Sequence, residues 1–246
     1  MGQNLSTASI SIIIPTLNEA VNIKIAMSSL QEAGFANATT QPSRNIEVIV
    51  VDGGSKDDTV EIAQSLGVKV ILSSPGRAVQ MNAGAVAASG EILLFLHADT
   101  RLPSGFDAMI RTALQQPRTV AGAFKLRIDA SPWGMRWVEW GVNWRSHFLQ
   151  MPYGDQAIFL TKEVFQQIGG FPELPIMEDF ELIRRLKRIG KIAIIAVPVV
   201  TSARRWLQKG IIQTTLINQI VIIAYLLGVS PKRIRSWYRQ EKFKGI

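Results

Sequence analysis

The chain alternates short apolar runs with longer stretches of mixed polarity. Ile10, Ser11, Ile12, Ile13 and Ile14 form a β-branched run that stops at Pro15, the pattern of a buried strand. Apolar runs at 46–51, 69–72 and 91–96 predict three more strands. Between them, Val21, Ile25 and Leu30 predict a helix over 19–33. Asp57 or Asp58 opens a second helix through Leu66, and the small-residue segment 77–88 reads as a third. The polar stretch 37–45 reads as a loop. This alternation predicts βαβ units and an α/β fold whose mostly parallel sheet has its strand ends on one edge.

Beyond residue 117 the pattern changes. Runs at 121–128 and 156–161 predict strands framing a tryptophan-rich segment, 178–189 predicts a helix and 192–200 another strand. Gly210 and Gly228 enclose a long apolar helix. With no repeat and no clear linker, the expected organisation is one domain over 1–200 and a helical, basic extension over 201–246.

The 246 residues suffice for a sizeable core, and 47% hydrophobic with 19% charged residues is ordinary for a globular protein. Cysteine is absent, which excludes disulfides, thiolate metal sites and a Cys nucleophile, and fits a reducing compartment. Residues 1–9 carry neither a basic region nor an apolar core, so no secretory signal is expected. Charge is uneven: residues 1–181 hold 13 Lys/Arg against 18 Asp/Glu, whereas 182–246 hold 14 against Glu241 alone. That asymmetry points to an anionic membrane surface or a phosphorylated substrate, unless it serves solubility alone. Nucleic acid is not expected, because no binding motif accompanies the charge.

Candidate chemistry gathers where strands stop, which is where open α/β sheets bind ligands. Asp52-Gly53-Gly54-Ser55 follows the second strand; its glycines permit close backbone approach, and Asp52 either accepts from a base or sugar or caps its own turn. The first strand ends in Pro15-Thr16-Leu17-Asn18-Glu19, which lacks the G-x-G-x-x-G of a nicotinamide fold, and no phosphate loop of the G-x-x-x-x-G-K type occurs. The fourth strand delivers His97-Ala98-Asp99, with His and Asp at alternate positions on one side of the chain. Oxygen and imidazole together suit Mn²⁺ or Mg²⁺, unless the pair merely finishes the strand.

The ordered set Ile14-Pro15-Thr16-Leu17-Asn18-Glu19, Val51-Asp52-Gly53-Gly54-Ser55, Gly76-Arg77-Ala78 with Asn82, a strand ending at Asp99, and Glu178-Asp179 resembles family 2 glycosyltransferases of the GT-A fold over about residues 10–190. Leu96 to Thr100, Gly154-Asp155-Gln156, Ile176 to Asp179 and Ser202-Ala203-Arg204-Arg205-Trp206 further resemble a bacterial subgroup named for its association with radical-SAM and selenodomain proteins. The resemblance implies a nucleotide-sugar donor, of UDP type, held by Pro15, Glu19, Asp52, Gly53, Arg77, Asn82, Ala98 and Asp99. It makes Asp99 a metal ligand for Mn²⁺ or Mg²⁺. His97 stands where the family has the first acid of Asp-x-Asp, so its place as ligand or supporting partner stays open. Asp179 inherits the catalytic base of an inverting hexosyl transfer, with Glu178 beside it. Trp137, Asp155, Gln156, Arg204, Arg205 and Trp206 fall to the acceptor or diphosphate side.

Trp133, Trp137, Trp140 and Trp144 recur at i, i+4, i+7 and i+11, one face of a helix. That face walls the acceptor, lies in a membrane surface, or packs on the sheet. The apolar helix at 210–228 holds Gln213, Thr214, Thr215, Asn218 and Gln219, so a buried or surface-lying helix is expected rather than a span. Lys232, Arg233, Arg235, Arg239, Lys242 and Lys244 follow it and suit anionic lipid. The expectation is a metal-assisted glycosyltransferase, peripheral on the cytoplasmic membrane face, acting on an acceptor hydroxyl or carboxylate that relatives suggest is lipophilic. Two alternatives stay open: a degenerate nucleotide-binding scaffold at the membrane, and a nucleotidyltransferase on a similar sheet.

Overall fold

The computed structural model describes residues 5–32, 45–130 and 133–243, apart from the side chains of 205, 209 and 239–243. The expected loop at 37–45 therefore lies almost wholly outside the described residues, as does Lys244, and nothing is known of the Arg205, Arg239 and Lys242 side chains.

The first half alternates β1 (Ile10–Thr16), α1 (Ala20–Glu32), β2 (Ile46–Asp52), α2 (Thr59–Ser65), β3 (Lys69–Leu72), α3 (Arg77–Ala87) and β4 (Ile92–Phe95). There follow β5 (Thr100–Arg101), α4 (Phe106–Leu114), β6 (Thr119–Asp129), α5 (Trp133–Leu149), β7 (Ile158–Thr161), α6 (Lys162–Gln167), α7 (Glu178–Ile189) and β8 (Lys191–Ser202). Three helices end the chain: α8 (Arg204–Lys209), α9 (Ile211–Leu226) and α10 (Pro231–Phe243). Because β8 runs to Ser202, the helical segment begins just past the boundary expected at 200.

All eight strands join one sheet in the order β3-β2-β1-β4-β7-β6-β8-β5. β1 pairs in parallel with β2 and β4, and β6 with β8, while β7 and β5 run against their neighbours. Alternate residues of β1 feed two cores. Ile10, Ile12 and Ile14 pack with α1 and α4 on one face, and Ile13 packs with α3, α6 and α7 on the other. A strand buried on both faces is nearly all apolar, which is why this run reads so plainly in the sequence. Its one buried hydroxyl before the Pro15 stop, Ser11, donates to Glu47 and accepts from Gly90 N. Close approach is built in at Gly84, where a Cβ would lie 2.4 Å from Ile13 Cγ2.

The 156–161 expectation is corrected at its start. Gly154–Gln156 is a 3₁₀ turn, Ala157 adopts φ 51, and the strand begins only at Ile158. Of the three readings open for the tryptophan stripe, packing on the sheet is the one the structure removes. β7 pairs with β6 only at Ala121 and Gly122, and beyond that α5 turns polar side chains toward the β6 backbone. Asn143 accepts from Leu126 N at 2.8 Å and donates to its carbonyl at 2.9 Å; Glu139 accepts from Ile128 N at 2.6 Å. Buried backbone groups need such partners. Those contacts fix the rotation of α5, so its tryptophans face outward, 47–79% exposed, rather than packing on the sheet.

Candidate active site

The strands β1, β2 and β4 end side by side, and the predicted residues sit around that edge. Asp52 closes β2 and is buried. Its carboxylate accepts from Gly54 N and Ser55 N at 2.8 Å each, from Ser55 Oγ, and from Thr16 Oγ1 at 3.2 Å. Its first task is thus to fold the turn, and a ligand would share an oxygen already occupied. Gly53 is held by its N–H on Thr16 O at 2.9 Å, and a Cβ there would press on the Gln80 carboxamide at 3.1 Å. Gln80 itself is buried and donates to Thr16 O and Val51 O at 2.7 and 2.8 Å, tying α3 to the ends of β1 and β2. Pro15, half-buried, pairs with Val51 beside it.

The second wall begins past β4. Ala98 is buried in the core, while His97 and Asp99 are half-buried and edge the cleft. Burial pushes the Asp99 carboxyl above its usual range and the nearby Glu19 carboxylate pushes it further, against the opposing pull of Arg204 and Arg77. Arg204 opens α8 and reaches back to Glu19 at 3.3 Å, so the C-terminal segment touches the start of the chain at this edge. Trp206, two residues on, is buried and anchors α8 against the larger core rather than projecting into the cleft.

Glu178 and Asp179 begin α7, where the helix dipole favours carboxylates. Met177 before them adopts φ 72, a left-handed conformation that an unbranched side chain rarely takes and that tends to mark functional sites. Glu178 is buried and pairs with Arg77 at 3.4 Å. Burial, then the adjacent Asp179 charge, raise its carboxyl above the ordinary value despite Arg77. Asp179 Oδ2 accepts from Gly154 N at 2.8 Å, and Oδ1 accepts from Phe180 N at 2.7 Å. A Cβ on Gly154 would lie 3.0 Å from His97 Nε2 and 3.3 Å from Asp179 Oδ2, so the histidine and the acid meet across this glycine. Tyr153 adjoins them under the Arg145 guanidinium, 3.5 Å from its ring centre. Burial raises its hydroxyl pKa most; Asp179 and Asp155 add to that, against Arg145.

The remaining expected residues hold the frame. Asn82 donates to Phe171 O and accepts from Phe171 N, both at 2.9 Å, clamping the 169–171 turn. Gln156 is fully buried, accepting from Ser146 Oγ at 2.8 Å and donating to Phe124 O at 2.9 Å, so it shapes the 154–156 turn from beneath. Asp155 is half-buried in that turn, and Trp137 lies out on the exposed face of α5. Tyr153, Arg145 and Gln80 are site residues that the sequence did not single out, and Gly154 entered only as part of a motif with no role assigned. Only the three-dimensional approach of Gly154 to His97 and Asp179 exposes its importance.

Among the described residues no group of three His, Cys, Asp or Glu side chains forms a ready metal cage. The donor set nonetheless fits a hard cation that arrives with phosphate, since such ions take one or two carboxylates plus substrate oxygens. Burial and the neighbouring Glu19 both disfavour the charged form of Asp99, a cost that a bound cation would offset.

The family model described as "Glycosyl transferase family 2" matches residues 11–170. A PGL/p-HBAD biosynthesis glycosyltransferase of Mycobacterium tuberculosis is 36% identical over 110 residues, covering 42% of this chain and 40% of its own length. The chain thus spans well under half the length of that curated relative. Among solved structures, the mannosyltransferase PcManGT from Pyrobaculum calidifontis, in complex with GDP-Man and Mn²⁺, superposes with a TM-score of 0.60 at 22% identity, covering 79% of this chain and 56% of its own. Glucosyl-3-phosphoglycerate synthase from Mycobacterium tuberculosis, with Mn²⁺, UDP and glucosyl-3-phosphoglycerate, superposes at 0.55 and 20% identity, covering 79% and 70%. These likenesses show the fold to be that of GT-A glycosyltransferases.

Proposed function

The chain belongs to glycosyl transferase family 2, and on that premise we propose that it moves a hexose from a nucleoside-diphosphate donor to a hydroxyl or carboxylate of a lipophilic acceptor, with inversion at the sugar carbon. One observation carries this reading: Asp179, oriented by two backbone N–H groups, faces His97 across Gly154, next to the Arg77–Glu178 pair. UDP is the first donor to try and GDP the second, the nucleotides present in the two similar structures.

In the proposed reaction the acceptor oxygen attacks the anomeric carbon as the bond to the diphosphate oxygen breaks. A hydroxyl acceptor passes its proton to Asp179, whereas a carboxylate acceptor attacks already deprotonated; in both cases the nucleoside diphosphate leaves with the bonding pair. The two N–H bonds fix the Asp179 carboxylate, so little reorganisation is needed as it takes the proton. Arg77, half-exposed and tethered by Glu178, stands ready to meet diphosphate charge. A divalent cation held by Asp99, with His97 as second ligand, would draw negative charge from the leaving group. Arg204, on α8 anchored by the core residue Trp206, would close the C-terminal segment over that diphosphate. The motifs at His97, Gly154, Glu178 and Arg204 support placing the chain in the radical-SAM and selenodomain-associated subgroup.

Asp179→Asn tests the reading. Positioned base catalysis is worth about 10²–10⁴-fold, so transfer should fall by that factor while nucleotide affinity, measured calorimetrically, holds. A near-normal rate would remove Asp179 from the mechanism.

A further inference from the structure

A helix lying on a core ordinarily turns its apolar stripe inward. α5 does this only in part, with Met135, Val138 and Val142, because Glu139, Asn143 and Ser146 share its inner side. Its outer side carries Trp133, Trp137, Trp140, Trp144 and Phe148, all 47–79% exposed. Beside it runs α9, joined where a Cβ on Gly134 would touch Ile211 at 3.1 Å. Only Thr214 of α9 is buried, and Ile212, Leu216, Ile220, Ile223 and Leu226 are 55–76% exposed. Single exposed apolar side chains are ordinary; two adjoining helices of them mark an interaction surface.

Three features identify the occupant. Tryptophan prefers boundaries where one edge is apolar and the other wet, and here it dominates α5. α9 sets exposed Gln213 and Gln219 among its exposed apolar side chains, and no described helix is long and apolar enough to cross a membrane. It therefore suits a position in the plane of an interface. Cations border the surface: α10 packs against α9 with Lys232 and Arg233 exposed, and Lys187 of α7 donates to Leu149 O at the end of α5. Residues 182–246 hold 14 Lys/Arg against one acid, a charge opposite to that of anionic headgroups.

We propose that the α5–α9 face docks on an anionic phospholipid bilayer, its tryptophans at headgroup depth and the α10 cations on the lipid phosphates. α9 also meets the helix that carries Asp179, since Tyr225 packs edge-on against Phe180 at 5.7 Å and donates to Glu181 at 3.2 Å, one and two residues after it. Docking would bring Asp179 close to the lipid surface; that consequence rests on the glycosyltransferase reading, whereas the docking does not.

The test uses the full chain without donor or acceptor, so its failure leaves the transfer reading standing, and failure of transfer leaves docking standing. The protein should sediment with phosphatidylcholine vesicles containing about 30% phosphatidylglycerol and not with phosphatidylcholine alone. Roughly 0.5 M NaCl should weaken this several-fold by screening. Brominated lipid in the same vesicles should quench tryptophan emission. The combined variant Trp140→Ser, Ile220→Gln, Ile223→Gln should lose at least roughly tenfold in vesicle affinity at an unchanged melting temperature. Four results would overturn the proposal: a wild-type chain that stays in solution with both vesicles, whether as monomer or as a dimer covering this face; equal binding to neutral vesicles; no quenching; or full binding by the variant.

Discussion

Replacing Gly154 by alanine sets a methyl carbon 3.0 Å from His97 Nε2 and 3.3 Å from Asp179 Oδ2. Gly154 is not among the positive-φ residues, so the backbone accepts alanine and the effect is one of contact alone. Either the histidine or the carboxylate must give by a few tenths of an ångström, and the 2.8 Å bond from Gly154 N to Asp179 must lengthen or bend. A hydrogen bond to a charged group is worth about 1.5–3 kcal/mol. At 1.36 kcal/mol per tenfold, its full loss from the transition state slows turnover about 10- to 10²-fold. The assay is release of nucleoside diphosphate from a panel of UDP- and GDP-sugars, with nucleotide affinity and melting temperature measured alongside. The expected result is a lower kcat with nucleotide affinity within about threefold of wild type, because the methyl touches the base and not the Asp52 turn. A kcat within about twofold of wild type would refute the reasoning.

Gly141 supplies the opposite case: it lies inside α5 with nothing within 4 Å of an added Cβ. Gly141→Ala should stabilise the chain by about 0.8–1 kcal/mol, read as a rise of about 2–4 °C in a thermal melt; a fall would show that α5 packs differently. Glu178 carries a carboxyl raised above its ordinary 4.5 by burial and then by Asp179. A raised folded pKa contributes stability that is full below 4.5 and lost as pH climbs through the folded value. The melting temperature of Glu178→Gln relative to wild type should therefore increase as pH rises from below 4.5 toward neutrality, and a flat or falling difference would contradict the assignment.

Where an apolar run is buried on both faces, or a helix has clean boundaries, the sequence was a close guide. The structure places β3 at Lys69–Leu72 and α7 at Glu178–Ile189, the ranges the pattern predicts. α4 is absent from that expectation although Phe106, Ile110, Ala113 and Leu114 recur at helical spacing. β5 holds only two residues and exists because Thr100 and Arg101 meet β8, a pairing no local pattern can announce. The tryptophan stripe showed its face but not its direction, which is decided by Asn143 and Glu139 serving the β6 backbone. Among site residues, Asp99 stood out as an acid ending an apolar strand, and Glu178 and Asp179 through the motif the resemblance rests on. Gln80, Asn82 and Gln156 donate to backbone carbonyls 29 to 89 residues away, and only folding shows which carbonyls they hold.

The most direct test of the central claim is calorimetric titration of the purified chain with UDP and with GDP, with and without Mn²⁺, on wild type and Asp99→Ala. A nucleotide-sugar site at this sheet edge predicts Mn²⁺-dependent binding of one nucleotide to wild type and its loss in the variant. Absence of binding by both nucleotides at millimolar concentration with Mn²⁺, or equal binding by Asp99→Ala, would contradict it.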